Sequence, residues 1–491
     1  MAGGYVFVER WMEDEVRAQL DARVRTPPAP YAGFAYDGIS FSLWSRRTTL
    51  EGVRLRGEGS VPGVTIRRIV AKAFDPAALE RVARADRYVG GSGDGVMRPL
   101  ATSVDIEELI VGADGGARLR VDRAAMDLVA IRQFDSVADL ERVVAGKAAD
   151  VAALVPAILR VARLDAADLT LGPPGKSDSG AAIERLSVDR YEGGRVQRLG
   201  ARALRLEDGG KIATLAELTV EGCSPLAFLA AAIATGDPAA VAAAGEVSAV
   251  RLRELGGALV EQHGVRVGSV ELSSSGSFRA GQRASQRLLV GGLDLSRGAR
   301  PNSPLAVALG RLGYERAVVR VECETAVDPK DGRAEIGRCE LGAQGVGRLT
   351  FSVLLTGIDL ANPEAAGSAD PGAEIMRRFG GATLHRAQIS WRDDGITDRI
   401  IAAEARAAGL QTEDMRQRLR QNVAAQLLPL GATPRVVEFG RSIDTYLGAP
   451  ATIAVALEPG RPAPFSEALS MIADPGRMLE RLGLRSSTTP N

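Results

Sequence analysis

The sequence predicts an α+β fold: a long, twisted, mainly antiparallel β-sheet, with room for an open groove, interspersed helices and a helical C-terminal block. The first observation is a recurring apolar-x-x-apolar-x-apolar pattern. It reads Ile66/Ile69/Ala71, Ile106/Leu109/Val111, Ile183/Leu186/Val188, Leu215/Leu218/Val220, Val267/Val270/Leu272, Ile336/Cys339/Leu341 and Leu384/Ala387/Ile389. The last two positions alternate as in a half-buried strand. The first is one residue out of phase, as a bulge or a strand changing faces requires. The second observation is a set of turn signals between alternating runs, such as Asp328-Pro-Lys-Asp-Gly332. The third is a shift to helical periodicity after about residue 396. Spacing between the copies is too irregular for a solenoid or a propeller.

Taken in order, Trp11, Val16, Leu20 and Val24 stand at helical spacing, and Pro27, Pro28 and Pro30 end that helix. Phe34, Tyr36, Ile39, Phe41 and Leu43 begin a hairpin that turns at Arg46-Arg47 and returns through Leu50, Val53 and Leu55. Asp75-Pro76 opens a short helix to about Ala85, and 90–95 is a glycine-rich loop. Three strands are expected between Thr102 and Phe134, then one or two helices over 136–163. Strands follow at 165–172, 182–190, 196–206 and 211–221. The Ala- and Leu-rich stretch 224–262 reads as helical, broken near 236–238 and 256–257. Strands are expected at 265–275, 284–296, 315–327, 333–343 and 347–359, with a helix at 303–312. The C-terminal block reads as strand 382–392, helices 396–408, 412–428 and 433–447, strand 451–457, and short helices after Pro464 and Pro475.

Composition excludes several classes of function. Lys+Arg and Asp+Glu balance at 61 each, with no long run of one sign, so nothing in the composition marks a surface for nucleic acid or for an anionic membrane. Two histidines, His263 and His385, are too few for a His-based metal site or base. With aromatic residues at 4%, the core is aliphatic. No stretch reaches the roughly 18–20 apolar residues of a membrane span. Ala2 to Val8 is an apolar stub before the charged stretch from Glu9 to Arg25. It reads as the last turns of a membrane anchor whose start is missing, or as a short strand or frayed terminus.

Pairing the two strands about residue 331, in the 328–332 turn, sets Cys323 opposite Cys339 and Val321 opposite Leu341. The two thiols are then a cross-strand disulfide in an oxidising compartment, or two small buried apolar groups. Other motifs fail on their own chemistry. Gly172-Pro-Pro-Gly-Lys-Ser177 has Thr170 where a phosphate loop needs Gly, and its prolines remove backbone donors. The glycines at 91, 93 and 95 lack dinucleotide spacing, and Gly440-Arg-Ser442-Ile-Asp444 fails the nucleophile-elbow pattern. Ser273 to Ser277 is a polar turn with no histidine near it. Asp393, Asp394 and Asp398 with Arg392 and Arg399 form the densest charged group. It reads as a turn at Asp394-Gly395, with Asp394 or Thr397 capping the next helix. No catalytic, cofactor or metal residue is assigned.

The chain divides into a helix and linker at 1–30, an antiparallel sheet at 31–135, central strands with helical insertions at 136–300, and strands and helices at 301–491. The segments Tyr36-x-x-Ile-Ser-Phe-Ser-Leu-Trp44 and Leu384-x-x-Ala387-x-Ile389-x-Trp391-x-x-Asp394-Gly395-Ile396, with the repeated strand pairs, resemble the AsmA-like and YdgA-like proteins of the Gram-negative envelope. The resemblance covers about residues 1–60 and 333–460. It implies an N-terminal inner-membrane anchor, a periplasmic sheet, and lipid binding or lipid transport along an apolar groove. The strands Arg287 to Val290 and Phe351 to Leu355 read as apolar on both faces. Leu288, Leu289, Val290, Phe351, Val353, Leu354 and Leu355 are therefore the expected contacts for a lipid or other apolar ligand. The alternative is a periplasmic scaffold or assembly factor that binds envelope proteins and fills its sheet with its own side chains.

Overall fold

The structure, a computed structural model, describes residues 2–27, 31–57, 62–75, 97–112, 118–132, 159–172, 179–192, 195–223, 247–276, 282–296, 304–358, 380–464, 466–467, 471 and 474–489. They form two compact units, Met1–Leu252 and Arg253–Asn491. Each is built on an open antiparallel sheet with neighbouring strands in sequence order, so most connections are local.

In the first unit, helix α1 (Ala2–Arg25) precedes β1 (Gly33–Ala35) and β2 (Gly38–Ser42), which both pair with β3 (Arg47–Arg56). The meander continues through β4 (Gly63–Lys72), β5 (Met97–Gly112), β6 (Arg118–Arg132) and β7 (Leu159–Gly172). It ends with β8 (Ser179–Glu192), β9 (Arg195–Asp208) and β10 (Lys211–Cys223). The first hairpin is as expected. Between 97 and 132 the expected three strands are two long ones, because the alternation of β5 and β6 continues through two irregularities each rather than breaking.

Those irregularities explain the repeating pattern. In β3 to β10 the ladder skips Gly52, Arg67, Glu108, Asp122, Asp168, Glu184, Ala203 and Ala216, one per strand and all opposite one another. On alternate strands the skipped residue is left-handed: Gly52 at φ 61°, Glu108 at 53°, Asp168 at 53° and Ala203 at 50°. The register is the same on either side, so each is an irregularity shared by both strands rather than an extra residue in one, and the row crosses the sheet perpendicular to its strands. The left-handed residue interrupts the strict alternation of faces, so apolar positions three apart can share a face. All seven copies of the pattern straddle a skipped residue, including those in the second unit. A second row lies further along, with left-handed Ala73, Leu128, Arg190 and Gly222 on the other set of strands.

Strand β11 (Ala249–Gly256) and the single turn α2 (Ala258–Glu261) stand where the sequence reads as helical to residue 262. Val250 and Leu252 alternate with Arg251 and Arg253, and this local period overrides the Ala-rich composition upstream. Likewise 159–163 belongs to β7, whereas a helix is expected there. The expected helices at 76–85, 136–158 and 224–246 lie outside the described residues.

The second unit runs β12 (Val265–Ser275), β13 (Ala284–Ser296), α3 (Pro304–Arg311), β14 (Arg316–Asp328), β15 (Arg333–Ala343), β16 (Gly347–Thr356) and β17 (Thr383–Asp393). Helices α4 (Ile396–Ala408), α5 (Thr412–Leu427) and α6 (Pro434–Gly448) follow, with a 3-10 turn at Leu428–Leu430. Then come β18 (Thr452–Leu457), β19 (Ala463–Pro464), α7 (Pro475–Arg481) and β20 (Leu484–Thr489). The order of pairing is β12 to β18 and then β20, with β19 beside the start of β17. The sequence reading omits β20, whose Ser-Ser-Thr-Thr run carries little apolar alternation.

Candidate functional site

Residues directly opposite in a ladder share a face, so register alone sorts the side chains. In the second unit one row runs Leu272, Leu288, Cys323, Cys339, Phe351, Ile389 and Val455 before ending at Ser486. The row beside it runs Val270, Val290, Val321, Leu341, Leu349, Trp391 and Ile453 and ends at Thr488. The other face carries Glu271, Leu289, Glu322, Glu340, Thr350 and Ser390. There Arg287 bonds to Glu322 at 2.8 Å and Arg338 to Glu340 at 2.6 Å. One face is therefore apolar and the other charged.

This corrects the expectation that the two strands are apolar on both faces. Leu288, Val290, Phe351, Val353 and Leu355 lie on the apolar face. Leu289 and Leu354 lie on the charged one, the first opposite Glu322 and the second opposite Glu335 and Arg386. A run of three apolar residues must send its middle member the other way. The apolar face also includes residues not expected from the sequence, and Leu272, Leu341 and Ile389 on it are 38%, 37% and 47% exposed. Their signal is the last position of the repeating pattern. Cys323 and Cys339 stand directly opposite in this face, their Cα atoms 3.9 Å apart and their sulfurs joined.

The first unit repeats the arrangement. Val53, Ile66, Leu109, Val121, Leu169, Ile183, Leu204 and Leu215 form an unbroken apolar row across β3 to β10. Exposure varies along the strands of this face. Beyond the second row of irregularities, Val161, Val196 and Cys223 are 4%, 1% and 3% exposed, and burial pushes the Cys223 thiol up. At the other strand ends, Leu171 and Leu206 are 49% and 52% exposed. The opposite face is laced with ion pairs such as Arg163–Asp165 at 2.6 Å.

The helices of the second unit meet its apolar face. Tyr314 and Ala317 form a small core with Leu309 of α3. Ser486 and Thr488, which end the two apolar rows, donate to the hydroxyl and carbonyl of Ser442 in α6. Asp393 at the end of β17 pins these layers together. Its carboxylate accepts from Gly395 N–H (2.6 Å), Thr397 N–H (3.1 Å), the Tyr446 hydroxyl (3.0 Å) and Trp391 Nε1 (3.3 Å). Burial alone would push this carboxyl up. The hydrogen bonds led by Thr397 outweigh that and hold it below the usual carboxylate range. The Tyr446 hydroxyl is pushed up to about 12, chiefly by its burial.

So Asp393, not Asp394 or Thr397, caps α4, and Gly395 makes the turn at φ 116°. Asp394 faces Arg392 at 3.2 Å and Asp398 faces Arg416 at 2.7 Å. Arg399 lies over the Tyr314 ring, 4.4 Å from its centre. The five charges serve separate structural contacts rather than one site. Ser442 is a buried helix residue. The glycine loop 90–95 and residues 173–178 of the phosphate-loop motif lie outside the described residues. Among the described residues, no three His, Cys, Asp or Glu side chains stand close enough to hold a metal.

Residues 340–489 match a family model whose description is "Uncharacterized protein". That span is β15 to β20 with helices α4 to α7, the part in which helices cover the sheet. No curated protein matches the chain.

Proposed function

We propose that this chain is a noncatalytic envelope protein that holds or passes lipid, or another apolar ligand, along the apolar faces of its two sheets. The observation carrying the reading is the pair of unbroken apolar rows in the second unit and their counterparts in the first, each backed by a charged face and each with leucines left in water. A soluble sheet normally buries such a face against a second layer. Leaving a Leu half exposed forfeits on the order of 1 kcal/mol of burial that an acyl chain would supply. In this reading the protein is periplasmic, where the Cys323–Cys339 bond is at home.

The test is mass spectrometry of lipids extracted from the purified full-length protein, with Phe351→Asp and Leu288→Asp beside Leu289→Asp as the matched change on the charged face. Co-purifying acyl lipid, lost in the first two and kept in the third, is the expected result. A protein free of lipid, or lipid retained by all three variants, would sink the reading. A second reading, a scaffold acting through protein contacts, draws on the groove of about 360 Å³ between α5 and α6. Val423, Leu427, Val436 and Leu447 help to line it, and beside it Leu428 is 78% exposed.

A further inference from the structure

Two of the chain's three tryptophans, Trp11 and Trp44, are 60% and 83% exposed. Both belong to one end of the β2–β3 hairpin. Trp44 stands in the turn between the strands, and its neighbour Leu43 donates its backbone N–H to Glu9 Oε1 at 2.7 Å. That bond ties the turn to α1 two residues before Trp11. Further along, the Tyr36 hydroxyl donates to Asp21 Oδ1 at 2.6 Å, so the helix lies along the hairpin. The α1 backbone continues past Glu9 to Ala2, through a segment whose sequence carries no charge.

Next to these two tryptophans in sequence, Arg10, Arg46 and Arg47 are exposed, as is Asp14. Glu9 is engaged by Leu43, and Glu13 pairs with Arg17 at 2.8 Å. Arg46 is held at φ 47° in a tight turn, where its backbone carbonyl accepts from Ala73 N–H at 2.6 Å. The turn that presents Trp44 is thus braced from behind. Large rings with one polar edge, mostly exposed and near exposed arginines in the sequence, suit the headgroup region of a bilayer.

We propose that this end of the first unit rests on the surface of an anionic lipid bilayer, with Trp11 and Trp44 at headgroup level and Arg10, Arg46 and Arg47 facing phosphates. Such contact is peripheral and needs no spanning segment. Among the described residues no helix is long and apolar enough to cross a membrane. The surface lies outside the apolar faces assigned to ligand, so the two readings stand or fall separately.

The experiment is flotation of the full chain with vesicles of phosphatidylethanolamine and phosphatidylglycerol, against vesicles of phosphatidylcholine. Binding to the first and not the second is expected. It should weaken roughly tenfold in Arg46→Gln/Arg47→Gln and by a similar factor in Trp11→Ser/Trp44→Ser. In a Trp391→Phe background, tryptophan emission should shift to the blue on binding and be quenched by brominated acyl chains. No binding by the full chain, equal binding to both vesicles, or wild-type binding by the tryptophan variant would overturn the proposal. Loss of flotation in Phe351→Asp with the tryptophan variant unaffected would also overturn it, placing the lipid contact on the apolar face instead.

Discussion

Leu484 in the second unit and Leu206 in the first both project from antiparallel strands onto an apolar face, yet Leu484 is 3% exposed and Leu206 52%. The strands are alike; what lies over them differs. Leu484 begins β20, where Arg435 of α6 bonds to its carbonyl and Ser442 receives its neighbours Ser486 and Thr488. Leu206 lies in a row with Leu171 and Ala181 at the exposed strand ends of the first sheet. An amphipathic sheet is stable with part of its apolar face in water if ladder bonds and cross-strand pairs suffice. The helical layer of the second unit adds a packed core to the same design. The difference separates residues that hold the fold from residues available to a ligand.

The largest expected effect lies at the pin of the covered region. Asp393→Ala should cost about 3–5 kcal/mol, because it strands the Tyr446 and Thr397 hydroxyls and the Gly395 N–H. Asp394→Asn, at an exposed pair with Arg392, should stay within about 0.5 kcal/mol. Since the Asp393 pKa is lowered on folding, its contribution is present above the unfolded carboxyl value near 4. It disappears as pH falls through the folded value. Urea melts of wild type and Asp393→Asn at neutral and acid pH check this. The gap between the two proteins should shrink in acid, and a constant gap would mean that the carboxylate charge contributes nothing.

Gly347→Ala comes next, at about 1–3 kcal/mol. The residue sits at φ 152°, and a Cβ there would stand 2.5 Å from the Trp391 ring. Only a glycine lets that ring approach the start of β16 so closely. Near-ultraviolet circular dichroism should show the ring's environment disturbed, and an unchanged spectrum would remove this contact from the account.

In the first unit the sign reverses. Ala203 is left-handed at φ 50°, a conformation costing a non-glycine residue about 1–2 kcal/mol. Ala203→Gly should relieve it and stabilise by about 0.5–1 kcal/mol after glycine's greater chain entropy is charged against it. Denaturant melts would show a raised midpoint with an unchanged slope. A lowered midpoint would mean that the backbone is not strained there.

Much of this was legible in the sequence. The apolar-x-x-apolar-x-apolar pattern carries the first row of irregularities, because each skipped residue interrupts the alternation and lets a spacing of three stay on one face. Cys323 and Cys339 stand opposite as expected, although by the turn Asp328 pairs with Arg333 and only a one-residue shift past Thr325 brings the cysteines into line. The second row is equally present, in Ile183-x-x-Leu186-x-Val188-x-x-Tyr191, but its last position falls on residues as unlike as Tyr191 and Cys223 and is easily missed. Leu289 and Leu354 could not be sorted to a face by hydrophobicity, since each has an apolar neighbour on both sides or one; register decides. The Asp393 pin was not legible either, because Tyr446 reaches it from 53 residues away.

Leu206→Asp gives a small change in stability and the sharpest test of the comparison. The side chain is half in water, so the substitution removes little burial, and the expected cost is about 0.5–1 kcal/mol. Leu204→Asp, one step inward on the same strand and in the continuous apolar row, should cost more, because its partners Ile183 and Leu215 lie on both sides. If the exposed end of the first sheet is a ligand wall, Leu206→Asp should nonetheless lose co-purifying lipid while its melting midpoint stays near wild type. Loss of stability in step with loss of lipid would make Leu206 a core residue in solution. The distinction between a covered region that holds the fold and an open region that meets a ligand would then fail.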